Sequence, residues 1–203
     1  MNDTDIGWIN FASLVVCTIW YAILYVLSVR PAHLEQKIGE KAYRRCTQYR
    51  MLLMIPMGIA TINYFVYLFY PVAIDPFPAR FPWPYWINII IALAIALPTG
   101  YIGVRGVMDA GSEALVPEKK NTMYGGVYQK IRHPQAVGEA PMFLWASLVM
   151  NSPFLLFFSL LTIPIWYWWS LEEEKDLLLR YGAGYAEYMK KTGMFWPRKS
   201  GEQ

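Results

Sequence analysis

The chain has 203 residues, 56% hydrophobic and 17% aromatic, with only 16% charged and a formal net charge of +3. That balance excludes a disordered chain, a coiled coil and a secreted disulfide scaffold, and so mild a charge gives no footing for nucleic acid. What remains is a multi-pass membrane protein, a single membrane-embedded domain over 1–203 with no length for a sizeable soluble domain.

The N-terminus, Met-Asn-Asp-Thr-Asp-Ile-Gly-Trp, carries Asp3 and Asp5 and no Lys or Arg, so it lacks the basic region of a signal peptide. The first apolar run, about 6–29, is therefore read as a retained helix. Further runs cover about 51–74 and about 85–107, each long enough for about 30 Å of hydrocarbon. A fourth stretch, about 136–171, is too long for one span and is broken by Asn151-Ser152-Pro153. Asn-Ser-Pro is a turn signal, and the residue before proline avoids the α region. The stretch thus predicts a tight helical hairpin, about 136–150 and 153–171. The expected architecture is an all-α membrane bundle of five transmembrane helices, the last two forming the hairpin.

Cationic residues test that count. The segment after the first run holds six: Arg30, Lys37, Lys41, Arg44, Arg45 and Arg50. The segment after the third holds five, Arg105, Lys119, Lys120, Lys130 and Arg132, and the C-terminal segment six, Lys175, Arg180, Lys190, Lys191, Arg198 and Lys199. The opposite side has Arg80 alone. Five spans with the N-terminus outside and the C-terminus in the cytoplasm follow from the positive-inside rule. Prolines 56, 98, 141 and 164 fall inside spans, where neighbouring helices satisfy the freed carbonyls. Cys17, in an apolar run, and Cys46, in a polar loop, form no metal or redox motif, and with two histidines no metal site is expected.

Chemistry-bearing residues cluster in 105–139 and 169–188, which the hairpin brings to one face. Pro134 suits the first turn of the hairpin helix, which places His133 near its N-cap. The helix start there, with Lys130 and Arg132 nearby, is a place for an anion. At the other arm, Glu172-Glu173-Glu174 follow directly on an apolar helix, so at least one faces the bundle and needs a partner. Asp176 and Arg180 have the i,i+4 spacing of a pair at a solvated helix end. An anion site beside an inward carboxylate, rimmed by aromatics, suits a zwitterionic ligand with a ring, such as an amino-acid nucleoside, or a lipid headgroup.

In order, Gly126-Val127-Tyr128, Arg132-His133-Pro134, Gly138, the Asn151-Ser152-Pro153 turn, Glu172-Glu173-Glu174 and Tyr181-Gly182 with Tyr185 and Tyr188 resemble the isoprenylcysteine carboxyl methyltransferase family, here in a compact form of prokaryotic type. The resemblance covers about 115–197. Phosphatidylethanolamine methyltransferases and the C-terminal parts of sterol and steroid reductases share parts of it. It implies S-adenosylmethionine as methyl donor, bound at the cytoplasmic face by a part spanning about 105–197. It implies cofactor contacts at Glu113, Lys120, Asn121, Thr122, Met123, Tyr128, His133, Pro134, Gln135, Ala136 and Glu173. His133 and the helix start suit the methionine carboxylate. Glu173 suits the α-ammonium or the ribose hydroxyls, and Tyr128 and Met123 can flank adenine or the sulfonium.

Three positions depart from that family. Trp169 stands where the eukaryotic enzymes have an Arg that orients the acceptor carboxylate. Ala136 replaces an aromatic residue, and Glu139 an apolar one. An indole face favours a cation or an apolar chain, and an intramembrane carboxylate is a functional candidate by default. Glu139 and Trp169 are thus the expected catalytic pair, and they argue for an amine-bearing or neutral lipid acceptor entering from the bilayer. The expected partners are that lipophilic substrate and membrane lipids. Two rivals stand beside this reading: a nicotinamide-dependent membrane reductase of the steroid-reductase type, and a non-enzymatic membrane scaffold.

Overall fold

A computed structural model describes residues 2–72, 76–118 and 125–198. Among these the chain is helical: α1 (Asp3–Ser28), α2 (Pro31–Ile38), α3 (Lys41–Phe69), α4 (Tyr85–Ala110), α5 (Pro134–Val149), α6 (Pro153–Tyr181) and α7 (Ala183–Lys191), with 3-10 turns at Gly111–Ala114 and Gly126–Gln129. Four helices are long and apolar enough to cross a membrane: α1, α3, α4 with its following turn, and α6. α5 has 16 residues, about 24 Å of rise, short of the full hydrocarbon thickness. Large apolar side chains such as Val16, Ile62, Leu97, Tyr101 and Leu161 stand exposed along these helices, as a lipid-facing surface requires.

The expected hairpin is present. Asn151 takes the left-handed conformation at φ 54°, and Ser152 caps α6 by accepting from the Leu155 amide. The Asn151 side chain also accepts from Asn88 at 2.9 Å and from the Phe81 amide at 3.3 Å. Tyr85 donates to the Val149 carbonyl at 2.8 Å. The aromatic segment before α4 therefore covers the hairpin turn, with Phe81 stacked on Trp83.

Two expectations need correction. The second run is not bounded at 51: α3 begins at Lys41 and ends at Phe69, because its first ten residues extend the helix beyond the apolar stretch. Cys46 therefore lies in a helix, not a polar loop, and is fully buried with its thiol donating to the Leu27 carbonyl at 3.4 Å. Nor does Asp176 pair with Arg180. Asp176 accepts from the amides of Ala32 and His33, at 3.1 and 2.8 Å, and so caps α2 from another helix. This frees Arg180 to reach Glu113 at 2.6 Å.

Helices α1, α3 and α6 share a core of Leu14, Cys17, Ala60, Tyr64, Tyr67, Phe154 and Leu155, with Phe143, Ala146 and Val149 of α5 packed against it. α4 packs along α5 through glycines. A Cβ on Gly138 would lie 2.5 Å from the Gly103 Cα, and one on Gly106 would lie 2.9 Å from the Pro134 ring. With no side chain between them, the two backbones touch, which is how membrane helices gain van der Waals contact without a hydrophobic drive.

Candidate active site

The cationic ends of the helices meet. Arg30 reaches Glu172 at 3.5 Å, Arg132 reaches Glu174 at 2.6 Å, and Arg50 on α3 donates to the carbonyls of Glu113 and Ala114 at 2.7 and 3.1 Å. These contacts join the end of α1, the starts of α3 and α5, the end of α4 and the end of α6 around one cavity of about 410 Å³. That volume is in the ordinary range for a small-molecule site.

Each wall presents one face of its helix. α5 contributes Pro134, Gln135, Ala136, Glu139, Met142 and Phe143, a spacing of i, i+1, i+4, i+7 and i+8 from Gln135 onward. α6 contributes Trp166, Glu173, Leu177 and Tyr181, and α1 contributes Tyr21 and Tyr25. α3 supplies Arg50, Leu53, Met54 and Met57, and α7 adds Tyr185 and Tyr188. The polar lining sits at the charged end and the apolar lining lies deeper, at the level of Met57, Phe143 and Trp166.

His133 is the centre of the polar part. It is the N-cap residue of α5 and buried, with Nδ1 3.3 Å from Glu173 and Nε2 3.1 Å from Glu174. Burial pulls the imidazole toward its neutral form, but the hydrogen bonds it donates to the two carboxylates outweigh it and hold the group above its ordinary value. Backbone contacts fix the residue too: the Arg132 and His133 amides donate to the carbonyls of Gly193 and Met194. Arg132 donates further to the Met189 and Thr192 carbonyls. The C-terminal segment thus straps the loop that opens α5.

Tyr128 lies in the second 3-10 turn, its hydroxyl accepting from Gln135 at 3.2 Å and its carbonyl accepting from Tyr188 at 2.6 Å. Burial raises the Tyr128 hydroxyl above the usual phenol range, and nearby Glu173 adds to the shift; burial likewise pushes Tyr188 up to about 12. Both stay protonated donors at neutral pH. The turn is set by Asp109, whose carboxylate accepts from the Val127 amide at 2.8 Å. Gly126 makes this possible at φ 61°, since a Cβ there would meet the Asp109 carboxylate at 2.2 Å.

The cavity therefore brings together Glu113, Tyr128, His133, Pro134, Gln135, Ala136, Glu139 and Glu173. Lys120, Asn121, Thr122 and Met123 lie outside the described residues. Trp169 lies elsewhere. It stacks on Tyr25 at 4.5 Å, meets Tyr21 and Trp166 edge-on, and lines a smaller apolar pocket of about 40 Å³ between α1, α3, α5 and α6. Tyr21, Met57, Phe143 and Trp166 line both pockets, so the apolar one continues the cavity inward. Among the lining residues not foreseen are Tyr21, Tyr25 and Arg50, from helices whose sequence carries no motif. Tyr185 and Tyr188 had a signal, the tyrosines that follow the acidic run.

The cavity, polar at its mouth and apolar at its floor, has room for a small polar molecule and for an apolar chain beside it. Residues 107–183 match the phospholipid methyltransferase family, which covers membrane methyltransferases of the isoprenylcysteine carboxyl type, so the resemblance holds across the segment that carries the hairpin and the acidic run. The likeness to membrane methyltransferases covers that segment, less than half of the chain. No curated protein and no solved structure shows a significant match to the chain.

Proposed function

We propose that the protein transfers a methyl group from S-adenosylmethionine to a lipophilic acceptor that enters from the bilayer. In this reading α5 is a fifth, short span, the N-terminus lies outside and the cavity mouth faces the cytoplasm. The observation that carries the proposal is the cavity itself, which gathers His133, Glu173, Tyr128 and the start of α5 at its polar mouth and runs on into an apolar pocket at membrane depth.

The chemistry of the lining fits the donor. S-adenosylmethionine supplies a methyl already activated on a sulfonium. The open start of α5 suits its carboxylate, while His133 holds Glu173 in place, and the Glu173 oxygen not held by His133 suits its ammonium or ribose hydroxyls. The protonated Tyr128 is placed as a donor beside them. The chain's task is to align donor and acceptor and to exclude water, which the depth of the cavity favours.

Calorimetry on the detergent-solubilised protein tests this. S-adenosylhomocysteine is expected to bind and NADPH not, and Glu173→Ala is expected to weaken binding by about 2–3 kcal/mol, the scale of a lost charge-assisted hydrogen bond. Binding of NADPH alone would make the protein a reductase. Binding of neither would leave a scaffold.

A further inference from the structure

Arg50 lines the cavity from α3, and its Nη1 donates to the carbonyls of Glu113 and Ala114 at 2.7 and 3.1 Å. Those carbonyls fix the guanidinium but do not neutralise it. The other described cations of the lining are spent on carboxylates: Arg132 on Glu174, and His133 on Glu173 and Glu174. Of the lining carboxylates, Glu113 is taken by Arg180, and Glu139 forms no ion pair with Arg50. Among the described residues Arg50 therefore keeps an unbalanced positive charge on the cavity wall. Its Nε and Nη2 hydrogens have no acceptor there.

Depth puts this charge level with Glu173. Arg50, Leu53, Met54 and Met57 form one face of α3, and Trp166, Glu173 and Leu177 line the cavity from α6. Met57 and Trp166 also line the apolar pocket. Arg50 is seven residues from Met57, and Glu173 is seven from Trp166. Each charge thus stands about 10 Å nearer the mouth than that shared floor. The start of α5, by contrast, holds an anion only weakly. Pro134 has no N–H and the His133 amide is spent on the Met194 carbonyl, which leaves later amides of the first turn and a partial charge.

We propose that Arg50 binds the carboxylate of the donor's methionine group, while Glu173 takes the ammonium of the same group. This rests on the S-adenosylmethionine reading above. A carboxylate and an ammonium borne on one carbon need their two anchors at one depth, which α3 and α6 supply. A guanidinium held still through Nη1 presents its remaining edge as a fork, and two parallel N–H···O bonds from such a fork recognise a carboxylate by shape as well as charge. The donor site is then completed from α3, a helix outside the matched segment 107–183. Arg50 is also its selectivity element: an adenosine thioether without the carboxylate leaves the guanidinium uncompensated and binds less well.

Calorimetry on the full chain in detergent tests this with S-adenosylhomocysteine and its decarboxylated form, which keeps the adenosine, the thioether and the ammonium. The unmodified protein is compared with Arg50→Gln and Arg50→Lys. The unmodified protein is expected to prefer S-adenosylhomocysteine by about tenfold or more. Arg50→Gln is expected to weaken S-adenosylhomocysteine by about 10- to 100-fold, the range of a charge-assisted hydrogen bond, and to hold the decarboxylated form within about threefold. Arg50→Lys keeps the charge and loses the fork, so its loss is expected to fall between. Equal losses for the two ligands overturn the proposal and leave Arg50 as a prop of the turn after α4. Unchanged S-adenosylhomocysteine affinity overturns it as well; loss of methyl transfer to N-acetyl-farnesylcysteine in that case assigns the guanidinium to the acceptor's carboxylate. Should Arg50→Gln fail to fold, Arg50→Lys carries the same comparison of ligands. If the unmodified protein binds neither ligand, the donor reading itself falls, a result distinct from all of these.

Discussion

Gly103 and Gly138 pack with their backbones in direct contact, so that a Cβ added to either would stand 2.9 or 2.5 Å from the other's Cα. The contact sets the rotation of α5 about its own axis. Glu139, the next residue, turns about 100° away from α4 and into the cavity.

Gly138→Val is expected to force α4 and α5 apart. The overpacking is expected to cost about 1–3 kcal/mol, read as a lower thermal midpoint in detergent, together with loss of S-adenosylhomocysteine binding because the α5 lining moves. Gly100→Ala, where nothing lies within 4 Å of the added methyl, is the control and is expected to leave both unchanged. Equal behaviour of the two variants would refute the packing account.

Glu113 and Arg180 form an ion pair whose side chains are 4% and 5% exposed. Glu113→Leu breaks this buried pair while the Tyr43 and Tyr181 rings still face the guanidinium, and is expected to destabilise by about 3 kcal/mol. Adding Arg180→Leu removes the unbalanced charge, and the double variant is expected to recover part of the loss. A double-mutant cycle on thermal midpoints checks this, and simple additivity of the two losses would contradict it.

The pH dependence of stability follows from His133. Its folded value is held above its ordinary value of 6.5 by Glu173 and Glu174. The folded state therefore binds this proton more tightly than the unfolded chain does. The resulting stabilisation is fully present below about pH 6.5 and is lost as pH rises through the raised folded value. The thermal midpoint is expected to fall across that alkaline window, and His133→Gln is expected to flatten the fall. A midpoint of the unmodified protein that rises with pH there would reverse the sign.

The distribution of Lys and Arg calls for an outer loop before α4 and an inner α7. Cys17 and Cys46 are both buried, so neither reports on topology directly, and both leave a quiet background for introduced thiols. An impermeant maleimide added to right-side-out vesicles is expected to label Pro78→Cys and to leave Glu187→Cys unlabelled until the vesicles are opened. The converse pattern would invert the protein in the membrane.

The apolar runs, the Asn-Ser-Pro break and the Arg-His-Pro helix start were legible because each is a local signal: hydrophobic length, a turn, a proline at a first helical position. α2 and α7 were not. They have 8 and 9 residues, carry charges among their apolar positions, and are held by contacts from distant helices, as Asp176 holds α2. At the site, spacing and resemblance singled out His133 and Glu173, yet the actual pairing places both His133 nitrogens on carboxylates, a relation between helices that no spacing encodes. Trp169 followed the same rule. Its place in the chain suggested a wall of the acceptor site, and three aromatic neighbours from α1 and α6 set its ring in the apolar pocket rather than at the polar mouth.

The end of α6 holds the chain on several sides. Glu172, Glu173, Glu174 and Asp176 fan over about 200° of the helix, and each grips a different segment: the end of α1, the start of α5, the loop before it, and α2. Arg180, a turn later, takes the segment after α4. Such a hub tolerates change in reach but not in register. One residue inserted between Trp166 and Glu172 would turn all five grips by about 100° together, detaching every neighbour in a single step while leaving composition and hydrophobic length almost untouched.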